Sequence, residues 1–502
     1  MSQAAPPQDS LVDEGPQLLG HPRGLYVLFF AELWERFCYY GMRALLAIYI
    51  AQQFYAHESP ERGQELASAS YGGFTALIYA FGIFGGSIAD RVLGYRRSII
   101  VGGLFMAAGE FMLMSPAKPM FYMGLAAMIV GNGMFKPNIS SLVGKLYKPN
   151  DARRDSGFTI FYMGINIGAL LAPLGCQAIS EAMGSYRYGF MLAGAGMLLG
   201  LACFGLGKNS LLGRGGPPPG KEGIGPIVQV VLGAMIVIPG VWALLSLSDK
   251  IVEYSLYSTF IAMEIFLITI AMKQEKVVRQ RMFVLITLLL LNVVFWSGFE
   301  QAGNSLNFFA QQRLVPLRIG DWTMPFEWWQ SVNSAFIVLL GPVFSTLWIT
   351  LDRRSLNPSI PAKFGFGLIL MGLGFGVLNL GIGQATADGN VYWYFLLGLY
   401  FVHTCGELCL SPVGLSMVTK LAPERVTGMV MGAWFLAIAC GNYIASVFSS
   451  LAARKAGEVT AAIDKAHAYG TVFNYVFVVG IAIGGTLLLG SRLINRGMHG
   501  VK

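Results

Sequence analysis

Runs of about twenty apolar residues recur along the whole chain, and they restrict the fold more than any other feature of the sequence. A run of that length crosses a bilayer as an α-helix, whereas the strands of a membrane barrel are shorter and alternate apolar with polar residues. Only 12% of the residues are charged, against about 25% in soluble globular proteins. The sequence therefore predicts an all-α polytopic membrane protein with about fourteen spans.

The spans form two sets of six, separated by a Gly- and Pro-rich linker and two further apolar runs. We expect a disordered cytoplasmic tail over residues 1–24, a first six-helix bundle over 25–206, a cytoplasmic linker with two extra transmembrane helices over 207–277, a second six-helix bundle over 278–491, and a cytoplasmic tail over 492–502. Basic residues cluster in alternate loops, which places both termini in the cytoplasm. The net charge of +8 therefore reflects orientation in a membrane and does not indicate nucleic-acid binding.

Each set of six has a basic loop after its second span, and each loop begins with an Asp-Arg pair: Asp90-Arg91 in the first set and Asp352-Arg353 in the second. The first loop resembles the loop motif of the major facilitator superfamily, with Tyr95 in place of one common basic residue. The matched positions indicate an internal repeat. The resemblance implies two six-helix bundles around a central cavity near the middle of the membrane.

The first apolar run carries a cluster of ionisable side chains. Spacings of three, four and seven place on overlapping faces of one helix Glu32, Glu35, Arg36, Tyr39, Tyr40 and Arg43. A charged side chain in mid-bilayer costs about 2.5–3.5 kcal/mol on insertion scales, so the cluster must face protein or water. A structural ion-pair network is one interpretation. A proton and substrate site is the other, and the rarity of intramembrane charges favours it.

Further polar residues interrupt later spans. Lys136 lies about ten residues, or about 15 Å of helix, from the nearest cytoplasmic loop, so it needs a wet cavity or a carboxylate partner. Glu407 is its natural partner. His403 is one turn from Glu407 and either titrates with it or is a buried neutral histidine. Asn166 is as well suited to a helix contact as to a ligand contact.

The combined inventory of polar and aromatic groups indicates a zwitterionic ligand with a variable middle. Arg36, Arg43 and Lys136 suit a carboxylate, and Glu407 with the nearby amides suits an ammonium group. Four aromatic residues add surface for apolar side chains: Tyr40, Tyr79, Trp296 and Trp434.

Four motifs together resemble the proton-dependent oligopeptide transporter (POT/PTR) family of the major facilitator superfamily, in its bacterial form with two extra helices. They are Glu32-x-x-Glu35-Arg36-Phe37-x-Tyr39-Tyr40, Phe135-Lys136-Pro137-Asn138, Phe161-Tyr162-x-x-Ile165-Asn166-x-Gly168 and Gly406-Glu407-Leu408-x-x-Ser411-Pro412. The resemblance implies a symporter that imports di- and tripeptides with protons by alternating access. It implies no enzymatic activity, and no cofactor beyond the proton gradient as energy source.

The resemblance also implies roles for individual residues. Substrate would be bound by Arg36, Tyr39, Tyr40, Arg43, Tyr79, Lys136, Asn166, Trp296, Asn333, Glu407, Ser411 and Trp434. Within this set, Arg36 and Lys136 would hold the peptide carboxylate, and Asn166, Asn333 and Glu407 its amino terminus. Proton coupling would rest on Glu32, Glu35, Arg36 and Glu300. The gate pairs would be Arg43–Glu300 on the outer side and Lys136–Glu407 on the inner side.

One departure from the family is that animal members carry a histidine on the second helix, and residues 67–90 contain none. The expected partners are peptides, protons and membrane lipids in the bacterial inner membrane, with no nucleic acid and no obligate protein partner. A symporter of nitrate or another small anion on the same scaffold is the main alternative. A membrane enzyme, a peptide receptor and a drug–proton antiporter are further alternatives.

Overall fold

The computed structural model describes residues 16–148, 151, 153–247, 249–423 and 426–500. Within them the chain forms sixteen α-helices: α1 (Arg23–Phe54), α2 (Pro60–Ala80), α3 (Gly82–Ile88), α4 (Tyr95–Leu113), α5 (Lys118–Gly144), α6 (Arg153–Ala182), α7 (Tyr186–Gly207), α8 (Gly225–Leu247), α9 (Asp249–Met272), α10 (Lys276–Phe299), α11 (Ser305–Arg313), α12 (Trp329–Arg353), α13 (Ile360–Ile382), α14 (Trp393–Leu421), α15 (Thr427–Gly457) and α16 (Ala462–Gly497).

Short elements connect these helices. One π-helical turn covers Ala89–Leu93, and three 3₁₀ turns cover Lys208–Leu211, Glu300–Gly303 and Phe326–Trp328. The six strands are two residues each: β1 (Gln17–Leu18), β2 (His21–Pro22), β3 (Leu314–Val315), β4 (Arg318–Ile319), β5 (Trp322–Thr323) and β6 (Val391–Tyr392). They pair as β1–β2 and β4–β5, both antiparallel, and as β3–β6, parallel.

Fourteen of the described helices are long, since only α3 and α11 have fewer than ten residues. These two continue the helical segments 60–93 and 276–313 that α2 and α10 begin. By length and composition, eleven described helices qualify as membrane spans, and α1, α4 and α5 are the long helices that do not. In α1 the reason is visible in the sequence, because four charged residues interrupt its apolar run. The expected all-α membrane architecture is confirmed.

The expected limits of the two tails differ from the structure. Residues 16–22 are not disordered: they contain the β1–β2 pair, and α1 begins at Arg23, two residues before the expected boundary. Residues 1–15 lie outside the described part of the chain. At the other end, α16 continues through Gly497, six residues past the expected end at 491. Arg281 then donates hydrogen bonds to the carbonyls of Met498 and His499 at 3.2 Å each, so backbone contacts hold this segment in place.

Because the long helices alternate in direction, α1 begins and α16 ends on the same side of the molecule, which we name the terminal side; the other is the far side. The first bundle consists of α1 to α7, and α1 packs against α6 and α7. At one crossing a Cβ on Gly168 would lie 2.3 Å from the Leu33 carbonyl oxygen. Only glycine allows α1 and α6 to approach so closely.

The second bundle consists of α10 to α16, in which α13 packs against α14 and α16. Each bundle has a hydrophobic core, and the core of the first bundle continues into α15 of the second. The two bundles meet where α2 packs along α15. The extra helices lie at this junction, since α8 contacts α5, while α9 contacts α2 of the first bundle and both α10 and α15 of the second.

Candidate functional site

A cavity of about 150 Å³ lies between the two bundles. Six helical segments line it, three from each bundle, and its polar walls carry both signs of charge. The lining side chains are Tyr40, Arg43, Tyr79, Tyr162, Ile165, Asn166, Ala169, Trp296, Phe299, Glu300, Ala302, Gln330, Asn333, Ser334, Ile337, Tyr400, His403, Glu407 and Ser411. A cavity with a few convergent polar groups and many aromatic walls is typical of a small-molecule site.

The charge cluster of α1 lies beside this cavity as a buried ion-pair network. Arg36 donates through Nε to Glu35 Oε2 and through Nη2 to Glu35 Oε1 at 2.6 Å. The same Nε lies 3.2 Å from Glu32 Oε1. Helical spacing alone places Glu32 and Arg36 on one face, because they are four residues apart. The predicted grouping of these three residues is therefore present in the structure.

The second predicted ion pair of α1 is also present. Arg43 donates through Nη2 to Glu300, at the end of α10, and through Nε to the Tyr71 hydroxyl at 2.7 Å. Both charged side chains are more than nine-tenths buried. This contact joins the first bundle to the second in the far half of the molecule.

Several uncharged contacts reinforce the same far half. Asn304 Oδ1 accepts hydrogen bonds from Ser68 at 2.8 Å and from Ser449 at 2.9 Å, so one buried amide joins both bundles. Nearer the surface, Lys465 contacts Glu61 at 2.7 Å. The bundles are therefore held together on the far side.

The expected Lys136–Glu407 partnership is not formed in this arrangement. Lys136 makes no ion pair with any described residue, and its Nζ lies 4.3 Å from the centre of the Tyr79 ring, a cation–π contact. Glu407 instead accepts a hydrogen bond from Asn333 Nδ2 at 3.1 Å. Because the two residues belong to different bundles, whether they pair depends on how far the bundles are apart on the terminal side.

Amide groups border the carboxylate of Glu407. Asn333 Nδ2 also donates to Thr404 at 3.0 Å. Asn166 donates through Nδ2 to the Tyr162 carbonyl of its own helix at 2.9 Å. Its other polar atom, Oδ1, is a hydrogen-bond acceptor. The region near Glu407 is therefore rich in acceptor oxygen and suits a donor such as an ammonium group.

His403 has a backbone partner, as expected for a buried neutral histidine. Its Nε2 lies 3.0 Å from the Met371 carbonyl oxygen, and a carbonyl only accepts, so Nε2 carries the proton. The aromatic ring of Phe375 packs against the imidazole.

Two aromatic residues expected to contact substrate are absent from the cavity lining. Tyr39 is 2% exposed in the core of the first bundle and packs against Tyr40. Trp434 is 3% exposed in the core of the second bundle, where it packs on Gly414 and Phe364. Arg36 and Lys136 are likewise absent from the lining in this arrangement. Residue type alone does not determine which face of a helix is turned toward the cavity.

Sequence reasoning also missed residues that the structure brings into or beside the site. Tyr162 and Gln330 line the cavity. Asn132 donates through Nδ2 to Glu35 Oε1 at 2.9 Å, and its position one turn before Lys136 was a usable signal. Glu110, buried in α4, accepts a hydrogen bond from Cys38 Sγ at 3.4 Å, and an acidic residue inside a span was again a signal.

Two helical bundles around a central cavity, with charged side chains inside the membrane-spanning segments, define a membrane transporter of the major facilitator type and not an enzyme. A model of the POT family matches residues 96–465. The chain is 37% identical to the uncharacterized transporter YclF of Bacillus subtilis, over 98% of this chain and 99% of that protein. It is 35% identical to the peptide transporter YePEPT of Yersinia enterocolitica, over 86% of this chain and 88% of that one.

Solved structures match over almost the full length. A mutant of the peptide transporter POT in complex with alafosfalin is 34% identical, with a TM-score of 0.81 over 97% of both chains. A POT family transporter in complex with 5-aminolevulinic acid is 33% identical, with a TM-score of 0.80 over 95% of this chain and 98% of that one. The chain belongs to the POT family.

Proposed function

We propose that this protein is a proton-coupled symporter that imports di- and tripeptides by alternating access, without a cofactor, across the bacterial inner membrane, with both termini in the cytoplasm. The observation that carries the proposal is the separation of Lys136 and Glu407. One bundle offers a cation without an ion-pair partner among the described residues, and the other offers a carboxylate bordered by amides. A zwitterion bridging these two groups would pull the bundles together.

Residues in and beside the cavity support an assignment for each part of a peptide. Lys136 and Arg36 do not line the cavity, but Lys136 contacts Tyr79, which does. Lys136 and Arg36 would hold the peptide carboxylate, and Glu407, Asn333 and Asn166 its ammonium group. Charge-assisted hydrogen bonds are the stronger kind, so these two ends would fix the orientation of the ligand. The side chains of the peptide would pack against three aromatic residues, Tyr40, Tyr79 and Trp296. Apolar contacts of this kind have little dependence on direction. Ser411 lines the same cavity.

The distribution of contacts supports the gating scheme. The far side is held by Arg43–Glu300 and by the Asn304 hydrogen bonds, whereas Lys136 and Glu407 are apart. With the termini in the cytoplasm, this arrangement would face inward. In the outward-facing state the Arg43–Glu300 pair would separate and Lys136–Glu407 would form. Rocking of rigid bundles around a central site is the usual basis of alternating access.

Proton coupling would act through the ion pairs of α1. A proton on one of the carboxylates Glu32, Glu35 or Glu300 removes the charge that holds its arginine, and the arginine becomes available to a peptide carboxylate. By linkage, proton binding then strengthens peptide binding, and peptide binding strengthens proton binding by the same factor.

The small-anion alternative has weaker support. A nitrate symporter needs cationic groups, and Lys136 would serve. Glu407, however, would repel an anion in the same cavity, and the relatives named above include peptide transporters. Competition of nitrate and of dialanine against a labelled dipeptide separates the two functions.

The test is uptake of a labelled dipeptide into proteoliposomes of the full chain, with and without an inward proton gradient, beside passive counterflow. Accumulation that depends on the gradient supports symport. Counterflow without accumulation would contradict the coupling residues and leave the peptide site standing. Absence of both would contradict the peptide function.

A further inference from the structure

Asn132 on α5 faces the charge cluster of α1, although neither the substrate cavity nor the gate pairs include it. It is 4% exposed, and it lies four residues before Lys136, on the same helical face. Its Nδ2 donates to Glu35 Oε1 at 2.9 Å. This is a contact between α5, which carries the lysine, and α1, which carries the acids.

The two acids of the cluster differ sharply in their hydrogen bonds. Glu35 receives two hydrogen bonds from Arg36 and one from Asn132, so both of its oxygens have donors. Glu32 has one oxygen 3.2 Å from Arg36 Nε, and its other oxygen, Oε2, is buried without a hydrogen-bond partner in the described part of the chain.

This asymmetry decides which acid holds a negative charge more readily. Hydrogen bonds from cationic and amide donors stabilise a carboxylate, and burial without donors destabilises it. A buried acceptor left without a donor carries the full cost of its lost hydration. A proton added at Glu32 Oε2 turns that atom into a hydroxyl and removes the unsolvated charge, whereas a proton on Glu35 would disrupt existing bonds.

We propose that Asn132 is a positioning residue that keeps Glu35 anionic and aimed at Arg36, so that Glu32 is the acid of this pair that takes up the proton. The proposal rests on the proposed proton-coupled transport and makes it more specific. On protonation, Glu32 gains the proton at Oε2 and its attraction for Arg36 Nε weakens. Arg36 keeps its contacts with Glu35, and because Glu32 no longer carries a negative charge, Arg36 becomes available to a peptide carboxylate as well.

The other groups that face the cluster do not replace this contact. They are Tyr39, Tyr40 and Cys38 on α1, Lys136 on α5, Tyr79 on α2 in contact with the lysine, and Glu110 on α4 in contact with Cys38. Lys136 makes no ion pair with either acid among the described residues, and its Nζ lies over the Tyr79 ring instead. Only the amide of Asn132 and the bidentate contact of Arg36 select Glu35 among the described residues.

A purely structural role is the competing interpretation, because buried amides commonly join membrane helices. The decisive variant is Asn132→Leu, which removes the donor at similar volume. Its matched control is Asn442→Leu. Asn442 is 2% exposed in α15, and its Nδ2 donates to the Ile438 carbonyl of the same helix at 3.1 Å, away from the charge cluster.

The measurement is the pH dependence of gradient-driven dipeptide uptake by the full chain in proteoliposomes. A hydrogen bond to a charged group changes a protonation equilibrium by about one pH unit or more. We expect Asn132→Leu to move the pH of half-maximal uptake upward by about that amount and Asn442→Leu to leave it in place. In a Glu35→Gln background, Asn132→Leu should add no further shift, because the two residues act through one contact.

Infrared difference spectra between alkaline and acidic buffer provide a second readout that does not need Asn132→Leu to fold. The absorption of newly protonated carboxyl groups should lose intensity in Glu32→Gln and keep it in Glu35→Gln. Three results would each overturn the proposal. They are loss of the carboxyl absorption in Glu35→Gln but not in Glu32→Gln, an unchanged pH profile in Asn132→Leu, and an equal pH shift in Asn442→Leu. If the unmodified protein transports peptide with protons and one of these results is found, only the role of Asn132 fails. If the unmodified protein does not accumulate peptide, the proposed function fails first.

Discussion

The substitution Glu300→Gln tests how much the far-side ion pair contributes to the arrangement of the bundles. Glu300 and Arg43 are both more than nine-tenths buried, and the only other hydrogen bond of Arg43 within the described residues is with the Tyr71 hydroxyl. Removing one partner of a buried pair leaves an uncompensated charge, which costs about 3–5 kcal/mol. We call the arrangement in the structure far-closed and one in which the bundles separate on the far side far-open. In the far-open arrangement Arg43 would reach water and avoid most of that cost.

The difference between the two arrangements sets the expected effect. If about 3 kcal/mol of the cost is specific to the far-closed arrangement, the equilibrium moves by about 100-fold toward the far-open one. The assay is electron–electron double resonance in nanodiscs, with spin labels at the exposed far-side residues Glu58 and Glu458 and the six native cysteines replaced. We expect Glu300→Gln to lengthen the distance between the labels.

Lys465→Gln is the matched control. It breaks the ion pair with Glu61 on the same side, between the same bundles, but Lys465 is 24% exposed. Pairs near solvent contribute about 0–1 kcal/mol, so the distance distribution should change little. If Glu300→Gln leaves the distance unchanged, or Lys465→Gln lengthens it equally, the buried pair does not hold the far side closed.

Three further predictions concern the site, the buried acid and the helix packing. Glu407→Gln should raise the dipeptide Kd about 10- to 100-fold, because a charge-assisted contact worth about 1.5–3 kcal/mol is lost; calorimetry measures this, and an unchanged Kd would exclude Glu407 as the ammonium partner. Glu110→Gln should shift Tm by only a few degrees because the amide oxygen still accepts from Cys38, whereas Glu110→Lys should prevent folding because a fully buried ammonium loses its hydration and cannot accept that hydrogen bond; equal stability of the two variants would contradict this. Gly168→Val should reduce the yield of folded protein, since even the Cβ of the new side chain would lie 2.3 Å from the Leu33 carbonyl oxygen. A normal yield of folded protein on size exclusion would show that α1 and α6 can move apart without loss of stability.

Much of the architecture could be predicted from the sequence, because hydropathy is a local property that accumulates along a helix. The expectation of about fourteen spans matches the fourteen long described helices. Ion pairs within one helix were equally accessible, since residues three or four positions apart share a face. Arg36 lies beside Glu32, four residues earlier, as the spacing indicates, whereas its contact with the adjacent Glu35 does not follow from that spacing.

The structure differs from the expected cavity lining where the orientation of a helix about its own axis matters. Tyr39 and Trp434 occupy the expected helices but face the cores of their bundles. Neighbouring Tyr40 faces the cavity instead. A rotation of about 100° separates adjacent residues of a helix, so only packing against other helices selects which of the two aromatic residues meets the ligand.

The fold class, the family, the number of long helices and the chemistry available to the site could all be predicted from the sequence, because each follows from composition and from motifs contiguous in the chain. Only the three-dimensional arrangement shows that Arg43 pairs with Glu300 while Lys136 and Glu407 are apart, and that Asn132 donates a hydrogen bond to Glu35. These contacts join helices far apart in sequence. Their distances depend on how the helices and bundles are placed, which no local pattern of residues specifies.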